Sequence, residues 1–442
     1  MDTTETSASA AAATPTSSFV IDEWIKTGKT YQDVPHFVSL ELQHRVATPA
    51  EARALLPDPS LPISGLLSAV FCQQIQTLQF VVPSSCFSEH PPNASFQDLL
   101  QRPIPNSDFL RRLRSHAGQA MLDGKCSIKD WTRAGIYLPF GALGFWYSLH
   151  EAATAKVAWQ RASVWLASQD VPSNMKSRIN DLLLKTQWSG TLSSLGSHTT
   201  VTGMAAFLSS EMLTESHVET MLSCLRVRIK NFHPTPSQIF IPTPTVGQGF
   251  LGVPQDTRLS YTEPTCLTEL AFQLNDANHG PKEVWTVVHS PPIHFGAISI
   301  TKSNNILRVQ WGDSLRFPQP KKMINGIKKW ASYHLPHVRL KFTQDLPCAT
   351  QTDAFSCSVI SINTLKHNLF GDERWTEKTR EKIRIQEFLD ILEYHFDNIV
   401  RLNFHNKSEY KLTLLLVSEP PPLARSSPGD YKKQSCTMPI RL

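Results

Sequence analysis

Residues 294–315 read HFGAISITKSNNILRVQWGDSL, and residues 351–365 read QTDAFSCSVISINTL. The first stretch holds two runs, HFGAISIT and ILRVQWG, whose β-branched and aromatic content reads as two strands. A hairpin joining them brings His294, which opens the first, to the same end of a sheet as Asp313, which closes the second. The second stretch passes from a polar loop into an apolar helix that starts directly after Cys357, with Ser356 able to cap it.

These placements suit thiol chemistry. A cysteine at a helix N-terminus sits at the positive end of the macrodipole. With a neighbouring imidazolium its pKa falls from ~8.5 to roughly 3.5–7.5, which supplies thiolate at neutral pH. Cys357 is therefore the candidate nucleophile, His294 its base and Asp313 the carboxylate that orients the imidazole. Gln351, six residues before Cys357, can bring its side-chain amide beside the Cys357 amide as a pair of oxyanion donors. Taken singly, Cys357 reads as a buried inert thiol and Gln351 as a solvated loop residue; it is their combination that carries chemistry. His289 is a rival base, but it ends the preceding strand with no acidic partner in view.

Two motifs nearby mislead. GQGFLG at 247–252 spells GxGxxG, yet Pro254 and the polar residues after it supply no helix to receive a pyrophosphate, so a glycine-rich loop is expected. WGDSL at 311–315 spells the block of a serine esterase family whose histidine follows the serine in an Asp-x-x-His pair. An Asp-x-x-His pair does occur, Asp276 to His279, but none follows Ser314, and a serine without a base is not activated.

Outward from the site, EVWTVV, QIFIP and VRLKF add strands, and LTESHVETMLSCLRVRI, LTELAFQLN, PKKMINGIKKWASYHL and TREKIRIQEFLDILEYHFDNIV add helices. The pattern is α+β with a central sheet of modest size. Residues 19–199 read as a mainly helical region of unassigned role. SDFLRRLRSHAGQAMLDG there has Ser107 as N-cap and Gly124 as stop, and residues 141–170 form one long helix with a stripe of Phe145, Trp146, Trp159 and Trp165 that packs on its neighbours. AVFCQQIQTLQFVV, residues 69–82, reads as a buried strand or helix. Residues 1–18 are Ala, Ser and Thr without periodicity and are expected to be disordered, and the Pro/Ser-rich tail 419–442 flexible.

The 442 residues allow two or three domains. Lys plus Arg number 43 against 38 for Asp plus Glu, an excess too small to signal nucleic acid. The eight cysteines show no CxxC pair, so neither a zinc module nor a disulfide framework is indicated. The first residues lack the charge and apolar core of a secretory leader, and no apolar run is long enough to span a membrane. A reducing compartment, nucleus or cytoplasm, is the expected setting, and no cofactor is implied.

The ordered set His294-Phe295, Trp311-Gly312-Asp313-Ser314-Leu315 and Gln351-Thr-Asp-Ala-Phe-Ser-Cys357 resembles the ubiquitin-like-protein-specific (SUMO-type) cysteine protease family. The likeness covers roughly residues 200–400. It implies a papain-like fold over residues 200–418, with a mostly antiparallel sheet flanked by helices. It also implies cleavage after the C-terminal glycine of a SUMO-like, ubiquitin-like modifier or its conjugates. In that family two tryptophans sandwich the modifier's Gly-Gly tail, and the resemblance assigns substrate contact to Phe295 and Met212 in their place. A glycine is usual after the nucleophile, where this chain has Ser358. A fold that binds a modifier without cutting it, and an acyltransferase on the same Cys–His–acid set, remain alternatives.

Overall fold

The computed structural model describes residues 21–79, 85–192, 198–253, 265–275, 282–290 and 293–417, with side chains up to residue 398. The expected disorder at 1–18, the tail 419–442, and Asp276 with His279 lie outside them.

The architecture is α+β. Its centre is a five-stranded sheet of β1 (Ile239–Phe240), β2 (Glu283–Ser290), β3 (His294–Ser303), β4 (Ile306–Gly312) and β5 (Arg339–Thr343), which lie side by side in chain order. The two long pairings, β2 with β3 and β3 with β4, are antiparallel. The shorter pairings at the edges, β1 with β2 and β4 with β5, are parallel. A parallel return needs a crossover, and between β4 and β5 a helix supplies it.

Before the sheet come α1 (His36–Val46), α2 (Ser107–Leu122), α3 (Ala142–Ser168), α4 (Ser173–Leu183) and α5 (Glu215–Phe232). Within and after it come α6 (Thr245–Gly252), α7 (Thr265–Asn275), α8 (Lys321–His334), α9 (Cys357–Phe370) and α10 (Arg380–Val417). Strand alternation sorts the two faces of the sheet. Val284 and Val288 of β2, Ile298 and Ile300 of β3, and Val309 and Trp311 of β4 pack with α6, α7 and α8. Trp285, Val287, Phe295 and Ala297 face the other way, into a cluster with α5, α9 and the start of α10. That second cluster continues through Trp159, Trp146 and Leu110 to Ile21. Residues up to Tyr394 form one compact unit, and the packing crosses residue 200 without a break. A second unit begins at His395 and carries the rest of α10.

Several local expectations need correction. GQGFLG is the body of α6, where a loop was expected. A Cβ on Gly247 would lie 2.7 Å from a Val288 methyl, and one on Gly249 would lie 3.0 Å from the Cys266 sulfur. The glycines therefore let α6 lie close on β2 and α7, and no glycine loop precedes a helix N-terminus. Residues 69–82 are neither a buried strand nor a helix over 69–79: only Ile75–Gln76 pair, with Ile104–Pro105, and Val70 is 96% exposed. Asn106, one residue earlier than expected, is the N-cap of α2. The long helix α3 stands as read, with Phe145, Trp146 and Trp159 buried.

Candidate active site

The site forms where the ends of β3 and β4 meet the start of α9. His294 is the first residue of β3, and Asp313 follows the last residue of β4. The register pairs Ala297 with Gly312. Carried one residue on, it sets Asp313 opposite Gly296, on the same face as His294. The two side chains meet as the hairpin reading requires, with His294 Nε2 2.8 Å from Asp313 Oδ2. The other carboxylate oxygen, Oδ1, accepts the backbone N–H groups of Leu315 at 2.8 Å and Phe317 at 3.2 Å. The turn after β4 thus wraps the carboxylate and fixes its angle.

Asp313 holds Nε2, which leaves the ring's Nδ1 for the thiol. Cys357 opens α9 and is 2% exposed. Its thiol donates to the carbonyl oxygen of Ile293 at 3.9 Å, and it acts on the His294 imidazole by raising its pKa. Burial works against the imidazolium. The hydrogen bond that His294 gives to Asp313, its interaction with Cys357 and the charges of both outweigh burial and raise the His294 pKa from 6.5 to about 9. A protonated imidazole beside the sulfur at a helix N-terminus is what a thiolate needs for stabilisation. α9 ends at Gly371, whose φ of 72° is the left-handed C-cap that glycine adopts without strain.

Gln351 is 8% exposed and lies in the loop before α9. Its Oε1 accepts from Ser314 Oγ at 2.8 Å, and its Nε2 donates to the Asp353 carbonyl at 2.7 Å and reaches Asp353 Oδ1 at 3.3 Å. Asp353 organises the same loop. Its Oδ1 accepts from the N–H groups of Phe355 (2.9 Å) and Ser356 (2.8 Å), and its Oδ2 accepts from the Ser356 hydroxyl (2.7 Å). Burial raises the Asp353 pKa, but these donors and Arg380 bring it below the ordinary value. The expected cap is corrected here: the Ser356 hydroxyl serves Asp353, and the side chain makes no capping bond to α9.

Two further expectations change. Ser314, set aside as a bystander, is wholly buried and touches Gln351. Phe295 does not offer an exposed wall: it is 3% exposed and stacks on His289 with ring centroids 4.9 Å apart. His289 itself meets Gln248 and no carboxylate. Met212 is half-buried in a groove of about 410 Å³ lined also by Thr154, Arg161 and His217. Cys348, the nearest other thiol in sequence, is buried and receives a hydrogen bond from Thr364, and burial pushes its pKa up.

Besides Asp353, one residue had no place in the sequence reading. Arg384 of α10 is buried and donates to the backbone carbonyls of Ala206, Phe207 and Glu211, just ahead of Met212. Its guanidinium also stacks 5.5 Å from the Phe355 ring, two residues before Cys357. It ties the segment before α5 to the loop before α9. An arginine inside an amphipathic helix pattern carries no signal of such a tie.

Among the described residues no cluster of three or more His, Cys, Asp or Glu is poised to hold a metal, and no helix is long and apolar enough to cross a membrane. No family model matches the chain. No curated protein matches it either. Solved structures similar to it include three proteins or complexes. The SUMO protease Ulp1 with its catalytic cysteine oxidised to a sulfinic acid is 12% identical, over 52% of this chain and 97% of that chain, with a TM-score of 0.37. The C-terminal Ulp1 protease domain in complex with SMT3, the yeast ortholog of SUMO, is 11% identical over 51% of this chain and 95% of that one, with a TM-score of 0.36. The Xanthomonas campestris effector XopD bound to ubiquitin is 16% identical over 41% and 91%, with a TM-score of 0.29. In its own geometry the chain is an α+β protein that brings a thiol, an imidazole and a carboxylate together at one end of its sheet.

Proposed function

We propose that this chain is a papain-like cysteine peptidase that cleaves after the C-terminal glycine of a SUMO-like, ubiquitin-like modifier, in a precursor or a conjugate. The observation that carries the reading is the His294 imidazole, held by Asp313 at 2.8 Å and raised in pKa by Asp313 and by Cys357. The order of His294, Asp313, Gln351 and Cys357 along the chain supports the modifier-specific class.

In this reading the Cys357 thiolate attacks the carbonyl carbon of the terminal glycine. The oxyanion that forms is stabilised by the Cys357 backbone N–H and the Gln351 amide, and one such donor is worth roughly 10²–10³ in rate. As the C–N bond breaks, imidazolium His294 gives its proton to the departing amine. Water, deprotonated by His294, then attacks the thioester, and the acid product leaves with the thiol restored. Met212 is assigned to the modifier's tail, while Phe295 contributes from within the core. Nucleus or cytoplasm belongs to the same reading, since a free thiol persists there. The test is covalent capture: a SUMO-like modifier bearing a C-terminal electrophile should bond to Cys357. A chain that captures none of a panel of such modifiers contradicts the proposal.

A further inference from the structure

We infer that Ser314 is a positioning residue that fixes the orientation of the Gln351 amide, so that adjacent residues of one turn, Asp313 and Ser314, align the base and the oxyanion donor respectively. The inference rests on the proposed reading of the site. Ser314 and Gln351 are joined twice: Ser314 Oγ donates to Gln351 Oε1 at 2.8 Å, and the Gln351 backbone N–H donates to the Ser314 carbonyl, also at 2.8 Å. Ser314 is wholly buried, so its hydroxyl is out of reach of bulk solvent.

The need for such a bond follows from the shape of an amide. Its oxygen and its NH2 group are nearly the same size, so packing alone does not choose between the two flips, and hydrogen-bond partners must. Here they agree. Ser314 places a donor against one end of the amide, and the Asp353 carbonyl, which only accepts, lies 2.7 Å from the other. The carbonyl cannot donate and so fixes the flip, and the Ser314 hydroxyl, able to donate or accept, anchors the amide oxygen in it. One Nε2 hydrogen is taken by the Asp353 carbonyl. The other faces only the 3.3 Å contact with Asp353 Oδ1, an oxygen already serving Phe355 and Ser356. That hydrogen is the one a developing oxyanion would take, because a charged acceptor outbids a long third contact. The Ser314 hydroxyl hydrogen is used in this bond, and the imidazole lies with Asp313 and Cys357, so the hydroxyl is no nucleophile.

The experiment is a double-mutant cycle on the full chain, with SUMO carrying a C-terminal aminocoumarin amide as substrate. Gln351→Ala should lower kcat by roughly 10²–10³. Ser314→Ala should lower kcat by about 10-fold and leave KM within about 2-fold, as loss of a transition-state interaction requires. In the Gln351→Ala background, Ser314→Ala should cost nothing further, because its effect passes through the amide. Alkylation of Cys357 by iodoacetamide should be unchanged in Ser314→Ala, which shows that the thiol and the fold are intact. An additive 10-fold loss in the Gln351→Ala background overturns the inference and makes Ser314 a packing residue. A slow Gln351→Ala beside a full-rate Ser314→Ala overturns it too. A Gln351→Ala chain as fast as wild type, or a wild type inert on the amide, contradicts the reading of the site itself, and the inference falls with it.

Discussion

The imidazole of His294 stands between a carboxylate and a thiol, and its protonation governs both the site and its pH response. Its pKa of about 9 lies above the ordinary 6.5, so its contribution to stability is fully present below about pH 6.5 and is lost as the pH rises through about 9. The ion pair needed for attack follows the same limb, so kcat/KM should fall above about pH 9. Asp313→Asn removes the carboxylate that lifts the imidazole. That limb should move to lower pH, and kcat should drop by roughly 10²–10⁴ with a smaller effect on KM. A pH–rate profile of the variant measures both, and an unmoved limb would show that Asp313 does not set the His294 charge. At this scale His294, Asp313 and Cys357 were legible because strand ends and a helix start are marked by local pattern. The roles of Ser314 and Asp353 were not. Ser314 reaches a partner 37 positions away. Asp353 acts within its own loop, through backbone N–H groups that have no sequence signature. The burial of Phe295 was legible only in part: alternation sends it to the opposite face from Gly296, but the ring that covers it comes from His289 on the next strand.

The β3–β4 hairpin positions the base through contacts that depend on a missing side chain. A Cβ on Gly296 would lie 2.3 Å from Cη2 of Trp311, a rigid ring that is buried against α8 and donates through Nε1 to the Phe317 carbonyl. Phe317 in turn gives its backbone N–H to Asp313. Gly296→Ala should therefore force the indole aside and disturb the turn that holds the carboxylate. Overpacking of this kind costs about 1–3 kcal/mol. The expected result is a lower urea midpoint and a reduced kcat; an unchanged midpoint would mean that the indole has room to move. α6 shows the same principle where sequence reading failed. Glycines in GQGFLG suggested a loop by propensity, and the helix lies where it does because Gly247 and Gly249 face Val288 and Cys266 at closest approach. Tertiary packing overrode local preference. In residues 69–79 the reverse held: apolar content suggested an element, and the chain is irregular apart from Ile75–Gln76, with Val70 in solvent.

Over the compact unit as a whole, the region before residue 200 and the region after it share one core. Trp159 of α3 packs edge-on to Phe388 of α10 with centroids 6.3 Å apart, and Arg178 of α4 pairs with Glu393. A chain starting at residue 200 would leave the apolar surface around Phe207 and Phe388 uncovered. It should lack a cooperative urea transition, whereas a native-like transition would show that the part after residue 200 is self-sufficient. The character change near residue 200 was legible in sequence as a shift from helices to strands, but contacts across it involve pairs too distant in the chain for pattern to join.

The most direct test of the central claim is to incubate the intact chain with SUMO and other ubiquitin-like modifiers carrying a C-terminal vinyl sulfone, and to map any adduct by peptide mass spectrometry. One modifier should be joined to the Cys357 sulfur, with no adduct in Cys357→Ala and a much slower reaction in Asp313→Asn. An adduct on Cys348, or none with any modifier while Cys357 remains a free thiol, would contradict it.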